Sequence, residues 1–204
     1  MKIICIGQNY SDHIKELNSK PSSEPMFFLK PDSAVLLKKH PFVIPEFSNE
    51  VHYEVELLVR INRLGKYIQP KFAHKYYDEI GLGIDFTARD LQRACKEKGH
   101  PWEKAKGFDG SAVLGDHWVS KEKFKDLKDI NFRLEKNDKI VQSGNTRDMI
   151  YDIDTLIAHV SQFMTLKIGD ILFTGTPAGV GPVAIDDKLK GYLEDEPIFT
   201  VNIK

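Results

Sequence analysis

The sequence predicts a strand-rich α+β fold. Short apolar or alternating segments recur around residues 2–6, 26–29, 34–38, 51–63, 79–85, 111–115, 130–136, 139–142, 171–174 and 197–203. Gly, Pro, Asn and Asp, the residues that close turns, separate many of them. Helical spacing is confined to a few places. No internal repeat, low-complexity segment or linker divides the chain, and 204 residues at 41% hydrophobic suffice for one substantial core. The expectation is a single domain over residues 1–204.

The element that carries most information is Val51-His52-Tyr53-Glu54-Val55-Glu56-Leu57-Leu58-Val59. Its odd positions are apolar and its even positions from 52 to 56 are polar, which predicts one strand burying Tyr53, Val55 and Leu57. Residues two apart share a strand face at about 6.5–7 Å, so Glu54 and Glu56 converge on one spot. Alone, the pair reads as a solvated strand face. Asp85, closing the run Ile80-Gly81-Leu82-Gly83-Ile84, adds a third hard oxygen donor. Three carboxylates suit Mg²⁺ or Mn²⁺, with Ca²⁺ also accommodated; zinc is disfavoured for want of Cys or clustered His. His52 shares the parity of the two glutamates, but a lone His is more often structural.

Asn137-Asp138 predicts a hairpin tip between Asn131-Phe132-Arg133-Leu134 and Lys139-Ile140-Val141. Thr87, as N-cap with Asp90 at N3, opens a helix through Leu91 and Cys95 to Gly99 and Pro101. A second helix from about Asp152 to Phe163 follows from Ile153, Leu156, Ile157, Val160 and Phe163, read as core packing. Ser19-Lys20-Pro21-Ser22-Ser23-Glu24-Pro25 is the best flexible loop.

Two further stretches can carry chemistry. His13 and Glu16 stand three apart, the spacing at which side chains meet on a helix. A carboxylate beside an imidazole orients it as a general base, though on spacing alone an ordinary exposed ion pair is the favoured reading. Thr174-Gly175-Thr176-Pro177-Ala178-Gly179-Val180-Gly181-Pro182 follows the apolar Ile171-Leu172-Phe173. It could dock a small anion, but lacks a P-loop's Gly-Lys-Ser/Thr, and by spacing alone it is a ligand-free glycine-rich turn.

A net charge of −1 gives no field for nucleic acid or an anionic membrane. Cys5 and Cys95 form neither a C-x-x-C pair nor a disulfide framework, which fits a reducing compartment. The first residues are too short an apolar run for a signal peptide, and no run approaches the ~18 residues of a membrane span. The expectation is a cytoplasmic protein.

These motifs, in this order and spacing, make the chain resemble the fumarylacetoacetate hydrolase family, most closely its short acylpyruvase-like members. The matching stretches are Gly7-Gln8-Asn9-Tyr10, His13-Ile14-Lys15-Glu16, Phe28-Leu29-Lys30-Pro31 and Val51 to Leu57. They continue with Gly83-Ile84-Asp85-Phe86-Thr87-Ala88-Arg89-Asp90-Leu91-Gln92, Pro101-Trp102-Glu103-Lys104-Ala105-Lys106, Asn145-Thr146 and Phe173-Thr174-Gly175-Thr176-Pro177. The resemblance implies a mixed β-sheet roll with a few short helices, a homodimer, and a divalent ion held by Glu54, Glu56 and Asp85. It implies a catalytic Lys106 and a lid-borne His13–Glu16 dyad, with Lys30, Arg89, Gln92 and Thr176 on the substrate side or behind it. Gln8 stands where the family commonly has Arg, exchanging a charged fork for a neutral amide. The implied substrate is a small 2-oxo acid. The leading expectation is hydrolysis of a carbon–carbon bond in an acylpyruvate or fumarylacetoacetate-like 1,3-dicarbonyl acid. Oxaloacetate decarboxylation or tautomerisation, or isomerisation of 2-hydroxyhepta-2,4-diene-1,7-dioate, would use the same site. A metal-stabilised binding domain is the non-enzymatic alternative, disfavoured by Lys106 and the dyad, which a structural ion does not need.

Overall fold

The computed structural model describes residues 1–16 and 22–204. Its centre is a seven-stranded mixed sheet. Across it run Met26–Lys30, Ile3–Gly7, Ile171–Phe173, Val55–Ile61, Tyr77–Asp85 and Ala112–Leu114, with Val119–Ser120 also pairing Tyr77–Asp85. Only the Ile3–Gly7 pairing with Ile171–Phe173 is parallel. Alternation along these strands sorts their apolar side chains onto two faces. Ile4, Ile6, Val55, Leu57, Val59 and Leu172 join the main core; Ile3, Cys5, Leu58, Ile171 and Phe173 join a smaller cluster.

A second, four-stranded sheet runs Lys139–Asn145, Asn131–Lys136, Lys188–Leu193 and Glu196–Asn202. The predicted hairpin is present, with Asn137 and Asp138 both at positive φ, 53° and 62°, as a two-residue primed turn requires. Strand-rich architecture with few helices is therefore as expected.

The expectation of one continuous strand over residues 51–59 is corrected. The chain breaks at Glu54, so that Val51–Tyr53 joins a three-stranded sheet with Thr87–Ala88 and Gly181–Pro182, while Val55–Ile61 belongs to the central sheet. Residues 34–38 are likewise not a strand. Pro31 leads into a 3₁₀ turn at Asp32–Ala34, and Val35 makes a single bridge to Ala112.

The helix predicted from Thr87 runs Arg89–Lys98 and ends on left-handed Gly99. Thr87 does not cap it, because its residue pairs with His52 in the small sheet and its hydroxyl faces Asp85 and Lys106. The second helix is Ile153–Phe163, with Asp152 accepting the Thr155 amide at 3.0 Å. In the expected loop over residues 19–25, Ser19, Lys20 and Pro21 lie outside the described residues; residues 22–25 have no regular structure. Among the described residues no helix is long and apolar enough to cross a membrane.

Candidate active site

The break at Glu54 creates the site. Glu54 occupies the corner between two sheets, Glu56 follows inside the central strand, and Asp85 ends the neighbouring strand, its amide bonded to the Glu54 carbonyl at 2.9 Å. All three carboxylates are buried. One oxygen from each can be chosen so that all lie within 4.8 Å of one another. Oxygens sharing one divalent ion at 2.0–2.6 Å lie no more than about 4–5 Å apart, so the donor set fits a hard cation. A second observation agrees. Lys30 Nζ lies 2.7 Å from Asp85 Oδ1, but off the hydrogen-bonding direction, leaving that buried oxygen without a hydrogen-bond partner among the described residues.

Each carboxylate has a distinct environment. Burial works against the charge of Glu54, but Lys106 and then Arg89 outweigh it and hold its carboxyl well below the usual range. Glu56 goes the other way. Burial pushes its pKa well up, and Asp85 and Glu54 add to the effect, against weaker opposition from Lys106 and the Gly175 amide. That amide donates to Glu56 Oε2 at 2.6 Å.

Lys106 reaches the triad from the four-residue helix Glu103–Lys106. Its ammonium lies 2.8 Å from Glu54 Oε2, 2.8 Å from Asp85 Oδ2 and 2.5 Å from the Thr87 hydroxyl. Burial disfavours its charge, but Asp85 and Glu54 prevail and raise its pKa, keeping it an ammonium. Arg89 donates to Glu54 Oε1 and to Gln92 Oε1, the latter at 2.6 Å. Lys30 is not a cavity-facing group. It is buried behind Asp85, with its ammonium given to the carbonyls of Lys106, Ser111 and Phe86 and to the Ser111 hydroxyl, the second of the two placements the resemblance implied, where it supports Asp85 and the Lys106 helix.

His13 and Glu16 share the short helix Ser11–Glu16. Asn9 anchors its entry by accepting the Tyr151 amide at 2.8 Å and donating to the Thr174 and Tyr151 carbonyls. His13 is not a surface residue: it is 6% exposed, with Nδ1 3.1 Å from Glu16 Oε2. With Glu16 accepting from Nδ1–H, Nε2 is the basic nitrogen. Burial lowers the His13 pKa below its ordinary value, with Glu54 and Glu16 only partly opposing, so the imidazole is neutral at pH 7. His13, Glu54, Glu56, Asp85, Arg89, Gln92, Lys106, Thr176 and Gln8 line a single cavity. Gln8 enters it from a left-handed backbone at φ 59°. His52 instead pairs with Glu50 at 2.9 Å and lies outside the cavity lining.

The glycine-rich turn serves the protein's own acids. Gly175 holds Glu56 and Gly179 donates to Glu16 Oε1 at 3.0 Å, both glycines at positive φ. Sequence reasoning missed Gln142, which is buried and makes three bonds of 2.9 Å: its oxygen accepts the Val55 amide, and its nitrogen donates to the Thr176 hydroxyl and the Pro177 carbonyl. Thr176 donates in turn to the Val55 carbonyl at 2.9 Å. The peptide between the two glutamates is thus clamped on both sides. Trp102 and Lys96, also lining the cavity, were likewise not singled out as site residues. The strand Lys139–Asn145 reads Lys-Ile-Val-Gln-Ser-Gly-Asn, with nothing that sets Gln142 apart from its polar neighbours, and Lys96 had no signal either.

A family model described as fumarylacetoacetate (FAA) hydrolase C-terminal matches residues 2–204. An oxaloacetate tautomerase of Escherichia coli is 41% identical over 199 residues, covering 98% of this chain and 91% of its own length. A mitochondrial oxaloacetate decarboxylase of Dictyostelium discoideum is 43% identical over 183 residues, 89% of this chain and 84% of its own. Among solved structures, the fumarylpyruvate hydrolase of Pseudomonas aeruginosa in complex with Mn²⁺ and pyruvate superposes with a TM-score of 0.93 at 30% identity, covering 100% of this chain and 89% of that one.

Proposed function

Because this chain belongs to the fumarylacetoacetate hydrolase family, we propose that it is a divalent-cation-dependent enzyme that interconverts the keto and enol forms of a short 2-oxo diacid, oxaloacetate. The observation that carries the reading is that a neutral, carboxylate-oriented imidazole and a buried three-carboxylate cluster line one cavity. Relatives named as oxaloacetate tautomerase and oxaloacetate decarboxylase, each more than 40% identical over most of their length, support the substrate.

Glu54, Glu56 and Asp85 would hold Mg²⁺ or Mn²⁺. When bound, the ion supplies Lewis-acid polarisation of the 2-oxo group. His13 Nε2 removes a proton from C3, and the C–H electron pair moves toward the C2 oxygen. Glu16 stabilises the imidazolium that forms, through Nδ1–H. Lys106, kept charged by Asp85 and Glu54, would turn one of the three N–H groups now given to Glu54, Asp85 and Thr87 toward the oxygen as it gains negative charge. The proton on His13, or one exchanged with water, ends on that oxygen in the enol and returns to C3 in the reverse direction. Gln8, Arg89 and Gln92 would orient the substrate's carboxylates, while the Thr176 hydroxyl, its hydrogen given to the Val55 carbonyl, has no donor to spare for them.

A second reading, hydrolysis of an acylpyruvate carbon–carbon bond, is favoured by the continuation of the cavity past the triad to Phe28 and Trp102, where an acyl group would fit. There His13 would take its proton from water instead. The test is an assay of oxaloacetate enol–keto interconversion beside acylpyruvate cleavage, with Mg²⁺ or Mn²⁺, before and after chelation, in wild type and His13→Ala. We expect oxaloacetate interconversion to be the faster reaction and to vanish on chelation. His13→Ala should lose ~10²–10⁴-fold together with the acidic limb of the pH profile, which in wild type lies below about pH 6.5 because burial depresses the His13 pKa. An undiminished rate in chelated protein would exclude the reading.

A further inference from the structure

Three lysine and arginine side chains line the cavity: Lys106, Arg89 and Lys96. Two of them face the protein's own acids at the inner end. Lys106 is held by Glu54, Asp85 and Thr87, and Arg89 by Glu54 and Gln92. Lys96, exposed at the mouth, has neither an ion pair nor a hydrogen bond to its ammonium among the described residues. Its contact is with an aromatic face, Nζ standing 5.4 Å from the centroid of Trp102.

That contact belongs to a continuous wall. Trp102 tilts against Phe28 at 5.7 Å, and Lys106 Nζ stands 5.3 Å from the centroid of Phe28. Two ammonium groups, one at the triad and one at the mouth, are therefore joined by two aromatic rings. The helix Arg89–Lys98 gives the same direction independently. Arg89, Gln92 and Lys96 fall three and four residues apart, on one helical face, and all line the cavity. A rise of about 1.5 Å per residue carries Lys96 roughly 10 Å along the axis from Arg89.

We propose that Lys96 forms an outer anion subsite that takes the far carboxylate of an extended 2-oxo diacid, whose carbon chain lies along Phe28 and Trp102. The proposal rests on the reading above only for the inner end, where the 2-oxo acid head sits at the triad. Carbon–carbon bonds of about 1.5 Å put the carboxylate carbons of a four-carbon diacid roughly 4 Å apart and those of a seven-carbon diacid roughly 7–8 Å apart. Oxaloacetate would fill only the inner end, and the subsite discriminates among longer acids.

The test measures binding rather than turnover. Pyruvate, 2-oxoheptanoate and 2-oxoheptanedioate are titrated calorimetrically into the Mn²⁺-loaded protein, in wild type, Lys96→Met and Lys96→Arg. We expect wild type to bind the diacid about tenfold more tightly than the monoacid of equal length, with a preference that falls as salt is added. Lys96→Met should abolish the preference without changing pyruvate or monoacid affinity, and Lys96→Arg should retain it. If pyruvate binds while the diacid-to-monoacid ratio is one in wild type, or survives in Lys96→Met, the subsite is refuted and the inner-site reading stands. If none of the three acids binds, both are refuted.

Discussion

Replacing Gln142 with Leu tests whether the clamp on Val55 holds the site together. The variant keeps about the same volume but loses three hydrogen bonds of 2.9 Å from one buried side chain. The Thr176 hydroxyl keeps its bond to the Val55 carbonyl, so the groups left without a partner are the Val55 amide and the Pro177 carbonyl. Each buried, unsatisfied polar group costs about 1–3 kcal/mol, giving a loss of roughly 2–6 kcal/mol, a large part of the ~5–15 kcal/mol that a folded domain has. Urea unfolding should show a lower midpoint at an unchanged slope. Because Val55 lies between Glu54 and Glu56, relaxation of its peptide should also weaken Mn²⁺ binding, read by calorimetry at a temperature where the variant is folded. Gln142→Glu keeps an acceptor for the Val55 amide but sets a carboxylate oxygen against the Pro177 carbonyl and buries a charge, so it should be at least as damaging as Leu to stability near neutral pH and should recover as the pH is lowered. An unfolding free energy within about 0.5 kcal/mol of wild type and unchanged Mn²⁺ affinity would show that the clamp positions nothing.

Two other perturbations separate holding the ion from using it. Lys106→Met should retain Mn²⁺ yet lose turnover by ~10²-fold or more, the scale of removing one donor aimed at developing charge; full activity would reduce Lys106 to a structural partner of Glu54 and Asp85. Burial, then Asp85 and Glu54, raise the Glu56 pKa above its ordinary value, so metal-free protein should lose stability as pH rises from the usual carboxylate range through that raised pKa. Over the same interval Mn²⁺ should bind more tightly and release up to one proton, measured by calorimetry in buffers of different ionisation enthalpy. Proton-independent binding in wild type, or a profile unchanged in Glu56→Gln, would contradict the assignment.

The parts of the site that could be read from the residues are those whose partners are near in sequence or whose pattern is local. Alternation over residues 51–57 aimed Glu54 and Glu56 at one spot, and Asp85 was found where an apolar run ends. The same alternation was blind to the break at Glu54, because Tyr53 pairs with Gly181 while Val55 pairs with Ile84. Two distant partners decide which sheet each half joins, and no local rule encodes them. Lys106 sits on a helix of four residues, too short for any periodicity, so the resemblance alone pointed to its role. Gln142 escaped for a third reason. A register shift between Ile140 and Gln142 interrupts its strand, and a bulge re-aims the side chains beyond it, defeating an inward–outward count along the strand.

The charges that surround the triad explain why so many ionisable groups are tolerated in a buried place. Glu54, Glu56 and Asp85 face Lys30, Lys106 and Arg89, so the fully ionised cluster is balanced. Burying an unpaired charge is costly, and these pairs keep that cost down before any ligand arrives. A divalent ion then adds two positive charges to a site that is already neutral. The two carboxylates of oxaloacetate cancel them. Proton removal by His13 then only separates charge inside the cavity, placing the anion on the 2-oxo oxygen beside Lys106 and the cation on the imidazolium beside Glu16. Opposite charges already fixed at those two points stabilise the separated state more than the bound ketone, which is the difference between states that accelerates a reaction. On this accounting Lys30, far from the reacting carbon, matters to the chemistry as the third cation of the balance. Its burial behind Asp85, with no face on the cavity, is what allows it to contribute charge without competing for the substrate.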